Sequence, residues 1–211
     1  MNAVTLPRLP IVILAAGFST RLGRPKALAR VRSESLLRRT LTLVAHLAAT
    51  NIIVVLPCRA SRYRIEARGF KVIFAANPRR ADGLSSSVRC GIARARHSPA
   101  LLLLPVDLAT LQRRDLARLM SRWRGARRRV VARHIGKQGG APKGGVPLIL
   151  PRWLYSRALA VSGDIGLREL INGLPARQRV LLDIPSAALD VDTPQNLRAA
   201  RRRLCPRSAG V

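Results

Sequence analysis

The chain is poor in acids: 10 Asp plus Glu stand against 39 Lys plus Arg among 211 residues, a formal net charge of +29. Such a field draws polyanions, whether nucleotides, nucleic acids or acidic proteins. The excess is spread along the chain and reads mostly as solvated surface. Aromatic residues make up only 3%, so no stacking platform for single-stranded nucleic acid is evident. Leu, Val, Ile and Ala must build the core, a composition that suits helices packed on a parallel sheet. Cysteine is sparse. Cys58, Cys90 and Cys205 form no CxxC pair and no metal-ligand spacing, and read as free thiols of a reducing compartment. No apolar run approaches a membrane span. The stretch "IVILAA" is short for a secretory leader and charge resumes at Arg21, so the expected location is cytoplasmic.

What the chain does have is a 48% hydrophobic content in a regular rhythm. Strands are predicted at 10–14, 51–56, 71–75, 100–104, 128–132, 146–150 and 179–183. Between them, helical spacing of apolar residues predicts helices over 35–49, 84–96, 111–123, 152–160, 166–172 and 194–203. Alternation of this kind makes crossover units. The expected fold is therefore α/β: three layers, a mostly parallel twisted sheet with helices on both faces, in one domain over 1–211 with a core of about 9–203. In such sheets ligands gather beyond the carboxyl ends of the strands. The Gly- and Lys-rich stretch 134–145 reads as a flexible loop. The first nine residues and the tail after Arg203 read as frayed.

Chemistry is therefore sought in the loops that follow strands. The first is "LAAGFSTRLGRPKAL", Leu14 to Leu28. Ala15, Ala16 and Gly17 are small enough for backbone amides to approach a ligand, and consecutive loop amides make an anion nest. Arg21 offers a forked donor to phosphate oxygens and Lys26 a point charge. Neither the Walker A spacing nor the Rossmann glycine pattern is present, so this is a phosphate loop of another design or a basic surface turn.

The second stretch, "NPRRADGLSSSVRCGI" (77–92), puts Ser85, Ser86 and Ser87 at a predicted helix start, where hydroxyls cap the helix or touch an anion. The third, "ALLLLPVDLATL" (100–111), places Asp107 just past a buried strand. It lies early for a helix cap and suits a hard-oxygen ligand for Mg²⁺. In "LDVDTPQNL" (189–197), Asp190 and Asp192 precede a cap-then-proline helix start. Asp164 and Arg168, four apart in "SGDIGLRELI" (162–171), could be a plain surface ion pair. His46 lies on a predicted helix, His97 and His134 in loop-like context, and no histidine constellation emerges.

Taken together, these stretches resemble the molybdenum-cofactor-type nucleotidyltransferases of the MobA-like NTP transferase superfamily. The resemblance runs from about Ile11 to Arg201. It implies that Leu14, Ala15, Ala16 and Gly17 contact the nucleotide, joined by Gly83, Ser86 and Ser87. It implies that Arg21 and Lys26 bind the triphosphate, with Arg21, Lys26 and Asp107 as the catalytic set. Asp107, Asp192 and, less directly, Asp190 are implied as ligands of Mg²⁺, and Asp164 and Arg168 as acceptor contacts. Two departures stand out: Leu108–Ala109 where the family has x-Pro, and Val146 where a histidine is usual. "LAAG" rather than "LAGG" is more like the cytidylyltransferase branch. That implies CTP as donor, a molybdopterin-type acceptor and a molybdoenzyme client, with no membrane or nucleic-acid partner. GTP or another phosphorylated acceptor is the alternative within the class. A non-catalytic basic module that carries cofactor or binds RNA is the alternative outside it.

Overall fold

The computed structural model describes residues 8–47, 49–126, 129–138, 141–163 and 166–204. In chain order the elements are β1 (Leu9–Leu14), β2 (Arg30–Val31), β3 (Glu34–Ser35), α1 (Leu36–Ala45), β4 (Ala49–Pro57), α2 (Ser61–Glu66), β5 (Ile73–Asn77) and α3 (Leu84–Ala95). They continue with β6 (Ala100–Pro105), α4 (Arg113–Gly125), β7 (Val130–Gln138), β8 (Ala141–Pro151), α5 (Tyr155–Ala160), α6 (Gly166–Asn172), β9 (Arg179–Leu182) and α7 (Pro194–Leu204).

Seven strands form one sheet in the order β5-β4-β1-β6-β8-β7-β9, and β2-β3 pair separately. The β5-β4-β1-β6 run is parallel throughout, and β7-β9 is parallel too. Only β8 runs against its neighbours β6 and β7. The sheet is thus mostly parallel, as the alternating pattern predicts.

Strand period decides which side chain faces which layer. On β1, Ile11 and Ile13 enter one apolar cluster with Leu37, Leu41 and Val44 of α1 and Leu116, Leu119 and Trp123 of α4. The alternate residues Val12 and Leu14 enter the opposite cluster with Val88 and Ile92 of α3, Ala158 of α5 and Ile171 of α6. Because β1 is covered on both faces, it reads as an unbroken apolar run rather than an alternating one. A third, smaller cluster ties α7 to β2 through Leu197, Ala200, Val31, Leu36 and Val191. Among the described residues no helix is long and apolar enough to cross a membrane.

The stretch 134–145 corrects the sequence reading. Its described residues are not a loop but the facing ends of β7 and β8, paired His134 to Gly144 and Arg133 to Gly145. Glycine there serves close packing: a Cβ on Gly144 would come within 2.8 Å of the Leu181 side chain. His134 accordingly lies on a strand, not in a loop. The short α2 and the β2-β3 pair were not expected from the pattern. Four residues make too little periodicity for β2-β3, and α2 buries only Tyr63 within its length. The residues read as frayed fall largely outside the described ones, as do Gly139 and Gly140.

Candidate functional site

β1 ends at Leu14, and Ala15 N–H still donates to Val55 O of β4 at 3.0 Å. Beyond that bond the chain leaves the sheet and folds back on itself. Ser19 adopts a left-handed φ of 60°. Its carbonyl accepts from Leu22 N–H at 3.1 Å and its hydroxyl accepts from Lys26 N–H at 2.9 Å. Buried Leu22 anchors the loop to the third cluster. Lys26 is thereby delivered on a short 3-10 turn that starts after Pro25.

Asp107 follows β6, the strand beside β1, so both loops open at the same carboxyl edge of the sheet. The turn after Asp107 forms without proline: Leu111 N–H reaches Leu108 O at 3.1 Å, and Ala109 is buried in the third cluster. Asp192 arrives from far along the chain by a specific device. Val191 is fully buried, and its N–H donates to Asp107 O at 2.9 Å. That single backbone bond pins the acidic pair 190–192 against Asp107. Thr193 then caps α7, its hydroxyl accepting from Asn196 N–H at 3.2 Å.

The carboxylates of Asp107 and Asp192 meet on one cation. Lys26 Nζ donates to Asp107 Oδ2 at 3.0 Å and also to Asp192 Oδ1, while Arg21 reaches Asp192 Oδ2 at 2.6 Å. Burial disfavours the Lys26 ammonium, but the Asp107 charge and the bonds to both carboxylates outweigh it and hold its pKa above the ordinary lysine value. Burial also opposes ionisation of Asp192. The Lys26 bond and charge, with Arg21, overcome that and lower its pKa.

A cavity of about 370 Å³ opens over this cluster, walled by Leu14, Ala15, Ala16 and Gly17 on one side and Gly83 and Ser87 on the other. Gly83 takes φ 78°, ψ −166°, a region that only glycine adopts without strain. It lets the chain turn directly into α3. Ser87 faces the cavity. Ser86 does not line it: its hydroxyl donates to Gly83 O at 2.8 Å and accepts from Asn77 Nδ2 at 2.8 Å. Ser86 and Asn77 thus brace the turn that presents Gly83 and Ser87.

A model of the MobA-like NTP transferase domain matches residues 11–180. The chain belongs to that family. Among curated proteins no sequence matches. Similar solved structures share the fold. Rv0371c from Mycobacterium tuberculosis H37Rv is 24% identical with a TM-score of 0.70, over 93% of this chain and 99% of that one. The 2-C-methyl-D-erythritol 4-phosphate cytidylyltransferase from Thermus thermophilus is 20% identical with a TM-score of 0.65, over 93% and 98%. Molybdopterin-guanine dinucleotide biosynthesis protein A from Archaeoglobus fulgidus is 12% identical with a TM-score of 0.65, over 92% and 98%.

In this MobA-like transferase a second cavity, about 510 Å³, adjoins the first across Arg21, Lys26, Asp107 and Asp192. Its far wall is apolar, with Ile135, Val146, Leu148, Leu167 and Ile171, and Arg168 and Asp190 also line it. Asp164 lies outside the described residues. Asp190 pairs with Arg133 Nη1 at 3.3 Å rather than with Lys26. Its pKa is raised by burial first and by the neighbouring Asp107 charge second.

Three residues that line these cavities escape the motif reading. Arg133 sits on β7, one residue past the predicted strand 128–132, where nothing in the local pattern marks it. Phe18 and Arg80 stack with the guanidinium 4.0 Å from the ring centroid, at the rim of the first cavity. Phe18 is 50% exposed in a chain of three phenylalanines. A large apolar ring among the small and polar residues of the loop after β1 was the available signal.

Proposed function

We propose that this MobA-like transferase moves a nucleotidyl group from a nucleoside triphosphate, CTP in the first instance, to the phosphate of a molybdopterin-type acceptor. The observation that carries the reading is the meeting of Asp107 and Asp192 on Lys26, beside Arg21 and under the Ala15–Gly17 turn. The first cavity receives the nucleotide and the adjoining one the acceptor. An acceptor phosphate oxygen forms a bond to the α-phosphorus, the bond from that phosphorus to the bridging oxygen breaks, and pyrophosphate leaves. The acceptor phosphate is already ionised at neutral pH, so no general base is required. Positioning and charge neutralisation carry such transfers. Arg21 and Lys26 neutralise the departing pyrophosphate, and the small residues 15–17 admit the phosphate chain close to backbone amides.

Among the described residues no group of three or more His, Cys, Asp or Glu gathers as a complete metal site. Two carboxylates are nevertheless the donor set that suits Mg²⁺, which usually binds through one or two carboxylates plus substrate phosphates. Asp107 and Asp192 would hold it, and it would supply charge stabilisation on the reacting phosphates. One solved structure of Rv0371c is a complex with manganese, which supports a divalent cation at this kind of fold.

The deciding experiment offers CTP, GTP, ATP and UTP separately with Mg²⁺ and molybdenum-loaded pterin. Pyrophosphate release from CTP that requires the acceptor, with a cytosine dinucleotide identified by mass spectrometry, is the expected result. Release from GTP instead would assign the guanylyl reaction. Absence of release with every triphosphate, together with retained function of an Asp107→Ala variant in cells, would remove the enzyme reading and leave a carrier.

A further inference from the structure

A third concavity, about 330 Å³, lies behind the phosphate loop rather than in front of it. Its walls are Arg24, Arg30, Arg62 and Arg201, over a floor of Pro25 and Leu28. No acid is among the residues that line it. Outside it, Glu66 pairs with Arg30 Nη1 at 3.5 Å and also accepts from Ser35 Oγ at 2.8 Å.

Four guanidiniums around one hollow repel each other, and an exposed arginine would normally swing away into water. Two of these are held in place. Arg201 donates through Nε and Nη2 to Arg30 O at 3.1 and 3.0 Å. Arg30 donates through Nε to Ser33 O at 3.1 Å. Backbone carbonyls fix both side chains without cancelling their charge, and Glu66 offsets that of Arg30 alone. Arg24 and Arg62 are exposed and make no hydrogen bond or ion pair among the described residues. Two fixed forks, of which only Arg30 has a carboxylate partner among the described residues, facing two free ones make a preorganised receptor for an anion with several oxygens.

We propose that this arginine hollow is a second anion site that takes a short chain of phosphates, either free inorganic polyphosphate or the phosphate tail of a second nucleotide. The small volume and concave shape suit a compact anion rather than the broad face of a helix or duplex. Arg24 and Pro25 lead directly into Lys26, so an anion held behind the loop acts on the same turn that delivers Lys26 in front of it.

The test is calorimetric titration with inorganic tripolyphosphate at about 0.15 M salt, where long-range surface attraction is largely screened. The unaltered protein is expected to take two equivalents. Arg24→Ser/Arg62→Ser should weaken the second equivalent at least tenfold and leave the first intact. Its thermal melting should be unchanged, because neither side chain holds the fold together. Arg21→Ser/Lys26→Met should remove the first equivalent and spare the second. If that pair keeps both equivalents, the nucleotide reading of the front cleft fails while the arginine hollow stands. A control, Arg114→Ser/Arg118→Ser on the exposed face of α4, should change neither. Two full equivalents in Arg24→Ser/Arg62→Ser would overturn the proposal, and so would equal loss in the α4 control, which would show only a general basic field. Repeating the titration with CTP separates the two sources. A second equivalent of CTP assigns a nucleotide tail, and its absence beside a second equivalent of tripolyphosphate assigns the free anion.

Discussion

The proposed nucleotide side and the proposed acceptor side of the cleft are built from the same sheet in different ways. The first stands on β5-β4-β1-β6, four parallel strands whose loops all leave at one edge. Its functional groups are small residues, backbone amides and a cation held at fixed reach. The second stands on the antiparallel β7-β8 hairpin and the segment around α6, and its wall is mostly aliphatic. A triphosphate is the same in every nucleotide, so the surface that receives it must repeat a narrow chemistry. An acceptor is particular, so its surface is free to differ. Of the two departures from the family pattern, Val146 lines the second cavity and Leu108–Ala109 follows β6 at the seam, while the loop from Leu14 to Lys26 keeps its pattern.

The sharpest way to break this comparison is at the seam between the two sides. Asp107→Asn should lower turnover by about 10²–10³-fold, as loss of one transition-state electrostatic contact does. Chelation of divalent cations should lower it at least as far. Steady-state assay alongside thermal melting checks both, and an active Asp107→Asn protein would dissolve the seam. Next in size, Gly83→Ala forces a side chain into φ 78°, ψ −166° and should cost about 1–3 kcal/mol of stability. Denaturant unfolding would read it, and the loss should appear with nucleotide affinity rather than acceptor affinity.

Smaller again, Arg133→Met should raise the acceptor KM by about tenfold, or 1.4 kcal/mol, with the CTP KM unchanged. Equal changes in both constants would show that the two sides are not separable. The smallest effect concerns pH. The Asp190 pKa is raised in the fold, so its ionised form is penalised there at pH above that value and not below the ordinary carboxylate range. Asp190→Asn should therefore raise Tm at pH 7 by about 1–2 °C and leave it unchanged near pH 3. Half of the side chain faces solvent, which keeps the effect small.

What could be read from the sequence divides along the same line. Buried strands such as Ile11–Leu14 and Leu101–Leu104 announce themselves because both faces are covered, and the loops after them follow at once. Asp107 was legible for that reason. Arg133 was not, because a strand near the sheet's edge mixes polar and apolar residues without a rule that singles out one of them. The 134–145 stretch misled because glycine signals freedom in sequence, whereas at Gly144 it answers to the nearby Leu181 side chain. The meeting of Asp192 with Asp107 depends on the Val191–Asp107 backbone bond, a long-range contact that no local pattern encodes. Ser86 shows the converse: a serine in the right motif whose hydroxyl is already committed to its neighbours.

Ser19 carries one more lesson. Its carbonyl and hydroxyl tie Leu22 and Lys26 into a closed loop, so the reach of the ammonium is set by an uncharged residue. Replacing Ser19 by alanine would leave every ionic group of the cleft in the chain and still loosen the clasp that aims one of them. A catalyst of this design can lose its accuracy before it loses any of its reagents.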